Sequence, residues 1–413
     1  MSSFFWFKHS PRVSKLRLLL ERLEDRALPA TSLFSVASAT QGGIPNVIVR
    51  DGAGTQIANF FAFPSTATST EAPAVNLAVG DVNGDGTPDI IAARGSSTVA
   101  GVVSGSSEIK VIDGTKLNMV DANHVIEGSA LLADFLAYDP GFLGGAFVAF
   151  GLSAGKPQII TGAGLGGGPH VKVIDATKLN EMQTNGEIAD SALIAQFYAY
   201  DPRFGGGVRV AAGDLNGDGV LDIVTAAGPY GGPHVKAIDG TKMQDLQNDS
   251  QPAPASLLGQ FYAYDPTFPS GVYVAVTFNG THPVIVTGKG FAAQSGGPLV
   301  VGPEVRVVDA TRLTVLDSNS EPTDSGLITD FFAYRPEQSP FGVTVAAADI
   351  NGDGVGDIIT GGDTTGGVPQ VKVIDGTKLA ELDMVGAIQD TALLDSFFFQ
   401  AQLQHFSVLV GGG

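Results

Sequence analysis

The chain has 413 residues, 55 of them glycine, with 44% hydrophobic and 16% charged residues and a net charge of −19. That apolar content is too high for a disordered chain, and the negative charge disfavours nucleic acid, whose phosphates it repels. With no cysteine, disulfides, cysteine-based zinc sites and thiol nucleophiles are excluded, and no apolar run reaches the roughly 18 residues of a membrane-spanning helix.

Residues 1–31 differ from the rest. FKHSPRVSKLRLLLERLEDRALPA runs from basic to apolar to charged, and its apolar stretch from Leu16 to Leu20 is interrupted by Arg17. That is too short for the h-region of an ordinary signal peptide, and a frayed amphipathic helix is one reading. The segment LERLEDRALPA, Leu20 to Ala30, resembles the Leu-Glu-Pro-Arg-type N-terminal motif of planctomycete surface proteins, with Asp25 where that family often has Pro. The resemblance implies a sorting signal and export.

From residue 32 onward one unit recurs. A fragment, SLFSVASATQGGIPNVIVRDGAGTQIANFFAF, comes first, followed by five full units at about 74–140, 145–202, 207–266, 271–336 and 341–400. The V-I-D-[GA]-T-[KR] segment places its Asp at 113, 175, 239, 309 and 375, with spacings of 62, 64, 70 and 66 residues. In the Gly207 unit the apolar runs are VRVAAG, LDIVTAAG, HVKAID and GQFYAY. Each is short, rich in Val, Ile and aromatics, and bounded by Gly, Pro or Asp, which are strand and turn signals. Small residues suit an inner strand near a central axis, and the Phe and Tyr of the last run suit the wider gap between blades. Four-stranded units in radial repetition predict an all-β, six-bladed propeller over 32–413. Its composite blade joins 33–63, counterpart of strands two to four, with 405–413, whose HFSVLVGGG matches strand one, so the C-terminal strand closes the ring on the N-terminal blade.

Three units carry a strict pattern between strands one and two: DVNGDGTPD at Asp81–Asp89, DLNGDGVLD at Asp214–Asp222 and DINGDGVGD at Asp349–Asp357. Oxygen-bearing side chains stand at positions 1, 3, 5 and 9, and Gly at 6 permits a sharp turn. The carbonyl at position 7 (Thr87, Val220 or Val355) can add an oxygen, and calcium takes six to eight. The bland alternative is an Asx-type turn without metal. Position 12 is Ala92, Thr225 or Thr360, so the bidentate Glu of an EF-hand is missing. Nine of the chain's 42 acidic residues lie in these loops.

Such loops in a repeated blade resemble the FG-GAP repeats of integrin α-subunit propellers and the VCBS repeats of bacterial surface proteins, across residues 33–413. The resemblance implies about three calcium sites, each stiffening a blade on one face of the ring. Their side-chain ligands would be Asp81, Asn83, Asp85 and Asp89; Asp214, Asn216, Asp218 and Asp222; and Asp349, Asn351, Asp353 and Asp357. Units two and four read GLSAGKPQI and TFNGTHPVI there, without the acids, so metal loops are expected to alternate. His170 and His234 of the two GGPHVK segments are read as turn residues opening strand three, because Asn46, Glu304 and Gln370 stand at the same place.

The expected function is an exported, calcium-stabilised scaffold, adhesion or binding module at the cell surface or outside the cell, with an extracellular protein or polysaccharide as partner. The alternatives are a polysaccharide-lyase-like enzyme and a lectin-like glycan binder. No Ser-His-Asp spacing, P-loop or His-Glu zinc motif is present. The repeat is broken mainly at 96–107 and 291–302, which are Gly-, Ser- and Val-rich and poor in ionisable groups. A non-enzyme with no catalytic residues is therefore expected.

Overall fold

The computed structural model describes residues 33–38, 46–64, 75–99, 102–290, 302–337, 339, 342–362, 370–398 and 408–412. The export segment 1–31, residues 291–301 of the second irregular stretch and residues 405–407 of the C-terminal fragment lie outside them.

Strands β1 (Leu33–Ser38), β2 (Asn46–Asp51) and β3 (Gln56–Phe60) come first. The first blade then follows as β4 (Val75–Gly80), β5 (Asp89–Arg94), an inserted hairpin of β6 (Ser96–Val99) and β7 (Val102–Gly105), β8 (Glu108–Ile112) and β9 (Leu131–Leu136). The second blade is β10 (Ala146–Ser153), β11 (Lys156–Ala163), β12 (His170–Asp175) and β13 (Leu193–Tyr198). The third is β14 (Val208–Gly213), β15 (Asp222–Ala227), β16 (His234–Ile238) and β17 (Leu257–Tyr262). The fourth is β18 (Val272–Phe278), β19 (Pro283–Lys289), β20 (Glu304–Asp309) and β21 (Leu327–Phe332). The fifth is β22 (Val343–Ala348), β23 (Asp357–Gly362), β24 (Gln370–Ile374) and β25 (Leu393–Phe398), and β26 (Val408–Gly412) comes last. The irregular stretch 96–107 is thus largely the β6–β7 hairpin.

The fold is an all-β propeller of four-stranded antiparallel blades. Five blades are made of continuous chain, and the expected count of six is corrected to that extent. The remaining four-stranded sheet, ordered β26-β1-β2-β3, is shared by the two ends of the chain, with Val36 opposite Val410. The reason is the one visible in the repeat: the N-terminal fragment lacks a first strand, and β26 fills that place.

The core lies between blades. One cluster joins Ile91, Ile109 and Phe135 of the first blade to Val148, Ile159 and Ile174 of the second, and the same arrangement recurs at later junctions. The fourth-strand Phe residues 135, 197, 261 and 331 are all buried there. The Asp of the V-I-D segment caps a one-turn 3-10 helix: Asp239 accepts from the Thr241 N–H at 2.9 Å and pairs with Lys242 at 2.6 Å. An Asp held this way satisfies a donor that the turn would otherwise leave open.

The tyrosine of each A-Y-[DR]-P tail fastens one blade to the next. Tyr200 lies with its hydroxyl 3.0 Å from the Thr225 carbonyl and 2.8 Å from the His234 carbonyl, on strands two and three of the following blade. Tyr264 and Tyr334 repeat this against the carbonyls of the fully buried Thr287 and Thr360, and Tyr138 does so against the hydroxyl of Thr161 and the carbonyl of His170. At the junction into the first blade both members change together, to Phe63 and Ala92. Losing one buried polar partner is costly, whereas replacing both by apolar groups is nearly neutral. The tails themselves are turns: the carboxylates of Asp139 and Asp265 accept from the N–H two residues on at 2.7 and 2.8 Å.

Candidate metal-binding loops

The three Asp loops occupy equivalent hairpins. Strands one and two pair to their last residues, Gly80 with Asp89, Gly213 with Asp222 and Ala348 with Asp357, so positions 1 to 8 form the connection. In the first loop Asp81 accepts from the N–H groups of Gly84, Asp85 and Gly86 at 2.7, 3.1 and 2.9 Å. Gly84 and Gly86 have φ of 78° and 87°, a region only glycine enters freely. Position 4 therefore needs Gly as much as position 6. Asn83 accepts from the Asp85 N–H at 2.8 Å, and Asp85 from the Thr87 N–H at 2.8 Å. Asp214, Asn216 and Asp218 repeat these bonds, with Val220 as the position-7 donor, as do Asp349, Asn351 and Asp353 with Val355.

Position 9 is different. Asp89, Asp222 and Asp357 are fully buried. Asp222 accepts from the Leu215 N–H and the Gly240 N–H, both at 2.8 Å, which ties the loop to the turn after strand three. Burial pushes each of these three carboxyls up to about 6, against the pull of those N–H bonds. Among the described residues none of the nine loop carboxylates has an ion-pair partner. Nor, among them, do three His, Asp or Glu side chains converge as a metal-holding group: positions 1 and 5 turn their oxygens to the loop's own N–H groups. The donors are hard oxygens of the kind calcium takes, held within one short turn beside a buried carboxylate. In donor type they match that ion, although their side chains do not converge on one point.

The second and fourth blades lack this architecture. Ser153 pairs with Lys156 across a tight turn, in which Ala154 and Gly155 have positive φ, and Phe278 pairs with Pro283. These shorter hairpins buttress the next blade's Asp loop. The Ala154 N–H donates to the Gly219 carbonyl at 2.9 Å, and the Phe278 carbonyl accepts from the Gly356 N–H at 2.7 Å.

One residue of the site carries a signal in the sequence that the loop pattern alone does not include. The Asp of the V-I-D segment is followed by Gly114, Gly240 and Gly376 in the three Asp-loop blades, but by Ala176 and Ala310 in the other two. A Cβ on Gly114, Gly240 or Gly376 would lie 2.0–2.2 Å from the carbonyl oxygen of Pro88, Leu221 or Gly356, the residue just before the position-9 Asp that the glycine N–H serves. Gly240→Ala is therefore expected to detach Asp222 and lower stability by about 1–3 kcal/mol. Ala176→Gly, its mirror in the second blade, should cost about 1 kcal/mol or less. Denaturant titration of both variants checks this, and equal costs would remove the glycine from the site.

His170 and His234 open β12 and β16, as expected. Each ring lies between two tyrosines, His170 at 5.4 and 5.0 Å from Tyr138 and Tyr198, and His234 at 5.3 and 5.1 Å from Tyr200 and Tyr262. Burial, helped by the neighbouring Lys172 or Lys236, holds both imidazoles down to about 4. A base depressed by folding binds more protons when unfolded, so the contribution of the two histidines falls as pH drops from about 6.5 towards 4. That of Asp89, Asp222 and Asp357, whose carboxyls are raised by burial, runs the opposite way as pH drops through about 6. Each ring is half-buried, and about 1–2 kcal/mol apiece is expected. The double variant His170→Gln/His234→Gln, which copies Gln370 of the fifth blade, should be more stable at pH 4.5 relative to pH 6.5 than the wild type is, in denaturant titrations. An unchanged difference between the two pH values would overturn this assignment.

Residues 206–241, spanning the second Asp loop, match the FG-GAP repeat family. Among curated proteins none matches the chain. Among solved structures, the Pseudomonas aeruginosa PilY1 C-terminal domain is similar at 13% identity and a TM-score of 0.41, covering 91% of this chain and 86% of that one. AofleA from Arthrobotrys oligospora is similar at 9% identity and a TM-score of 0.41, covering 93% and 91%. The α-L-arabinanase of Cellvibrio cellulosa gives 11% identity and 0.38, covering 72% and 90%. At these scores the likenesses carry no argument about function. Among the described residues no helix is long and apolar enough to cross a membrane.

Proposed function

Because the chain carries an FG-GAP repeat within a β-propeller, we propose that it is an exported, calcium-stiffened ring serving as a binding scaffold at the cell surface or outside the cell, for a protein or polysaccharide partner. The observation that supports this best is the set of nine loop carboxylates, in three equivalent hairpins, without ion-pair partners among the described residues. Three negative charges within nine residues repel one another, and a divalent cation relieves that repulsion. Asp81, Asn83, Asp85 and Asp89, with the Thr87 carbonyl, would hold one ion, and the matching residues of the other two loops would hold theirs. Calcium supplies charge neutralisation and no chemistry, and no residue is assigned a catalytic role.

The reading includes six blades. β26 packs beside both β22 and β4, completing a cycle of first strands through β4, β10, β14, β18 and β22; counting the shared sheet as the sixth blade accounts for that closure. Extracellular modules bind calcium at about 10⁻⁴–10⁻³ M, and loops without the twelfth-position Glu belong in that range. Calorimetric titration of the chain with calcium is expected to find about three sites, and about one fewer in Asp218→Ala. No bound calcium at millimolar concentration, or the native chain confined to the cytosol on fractionation, would overturn the proposal.

A further inference from the structure

We propose that the centre of the ring holds a binding site for a small carboxylate, built on Arg209 and independent of the Asp loops. The second residues of the first strands of blades one to five, Asn76, Phe147, Arg209, Tyr273 and Thr344, line a cavity of about 60 Å³. That is room for a few waters or one small anion. The Asp loops follow the last residues of these strands, so the cavity lies towards the opposite end of the ring.

Arg209 is 6% exposed. Its hydrogen bonds leave from Nη1, to the Val272 carbonyl at 3.1 Å and the Ala227 carbonyl at 3.4 Å, while its buried Nε has no acceptor. The guanidinium carbon sits 3.9 Å from the centre of the Tyr273 ring. Among the described residues no carboxylate pairs with it. A buried guanidinium without a counter-charge is costly, and an apolar side chain of similar volume would serve stability better. The other four blades place uncharged residues at this level. A charge without a carboxylate partner among the described residues, lining a cavity, is what a ligand site offers, although the same guanidinium bridges the Ala227 and Val272 carbonyls and lies over the Phe147 and Tyr273 rings. The planar fork of Arg suits a carboxylate, which it can meet with two parallel N–H bonds. Asn76 and Thr344 lie at the same level, the Asn76 amide donating to the Ala146 carbonyl at 2.6 Å and the Thr344 hydroxyl to the Gly361 carbonyl at 3.2 Å, and the small cavity favours a small anion over a sugar or a peptide.

The test compares sodium acetate with sodium chloride at equal ionic strength and pH 7, on the full chain, by thermal melting and by saturation-transfer NMR of acetate. Acetate is expected to raise the melting temperature saturably and to give a transfer signal. Arg209→Met should weaken acetate binding at least tenfold, yet melt in chloride at or above the wild-type temperature, because the unpaired charge is gone. Arg209→Lys keeps the charge without the fork and should also bind acetate more weakly. It serves as the test variant if Arg209→Met does not fold. The proposal is overturned if acetate and chloride act alike on the wild type, or if Arg209→Lys binds acetate as well as the wild type. A destabilised Arg209→Met together with no acetate effect would make Arg209 a structural prop on Tyr273.

Discussion

Chelating calcium is expected to lower the melting temperature of the chain by about 3–10 °C and to expose the loops around Asp85, Asp218 and Asp353 to protease. Ligand held at about 100 times its Kd adds roughly 2.7 kcal/mol per independent site, and a chain of this size melts about 1 °C lower for each kcal/mol lost. Three sites in one ring do not add simply, so the lower half of that range is expected if the blades are coupled. The turn between Ser153 and Lys156 and the connection from Phe278 to Pro283 serve as internal controls, having no acids to neutralise. They are not fully insulated, because the Ala154 N–H holds the Gly219 carbonyl, and a slack loop in the third blade loosens its neighbour. Two variants separate metal from scaffold. Asp218→Ala should remove part of the calcium-dependent shift and change little in chelator. Asp222→Ala should be destabilising even in chelator, by about 1–3 kcal/mol, because it strands the N–H groups of Leu215 and Gly240. Scanning calorimetry with and without chelator, together with mapped proteolysis, reads both. Unchanged melting would leave the loops as self-satisfied Asx turns, since the backbone bonds of Asp81 and its counterparts already close them.

Repetition made most of the fold legible. Five copies of the D-[GA]-T-[KR] segment in step with four A-Y-[DR]-P tails fix the unit, and the alternation of Val and Ile with small residues identifies the strands. The end fragments could be fitted together because each lacked what the other had, though only the register of Val36 against Val410 shows the pairing itself. The Asp loops were legible as a pattern, but the division of labour within them was not. A sequence gives Asp81 and Asp89 the same chemistry; burial separates them, leaving one on the surface turn and the other fixed between Val82 and Gly114. The Gly–Ala alternation after each V-I-D Asp was in plain view and lacked only a reason, which is the carbonyl that a Cβ would strike. Arg209 was unreadable because its meaning depends on what is absent around it: four other first strands place no charge at that level, and only assembly brings them together.

Removing residues 405–413 is expected to cost at least about 3–5 kcal/mol and to make the chain more prone to associate. β26 pairs with five residues of β1 and packs against the first strands on both sides, β22 and β4. Without it β1 becomes an open edge, offering unpaired N–H and carbonyl groups to another chain, and the first and fifth blades lose the element between their inner strands. These contacts join residues near 36 to residues near 410, so they hold the two ends of the chain together and limit how far the ring can open. Melting should become broad and begin at lower temperature, with the first blade and the β1–β3 strands exchanging hydrogen sooner than the third, whose neighbours remain intact. The complementary experiment strengthens the same join. The chain has no cysteine, so Val36→Cys/Val410→Cys introduces one disulfide between directly opposed positions. Closing so long a loop is expected to stabilise by up to about 4–5 kcal/mol, less any strain, and reduction should reverse the gain. Equal melting of the truncated and full chains, with no association on size exclusion and no effect of the disulfide, would mean that the first and last strands are not what holds this propeller closed.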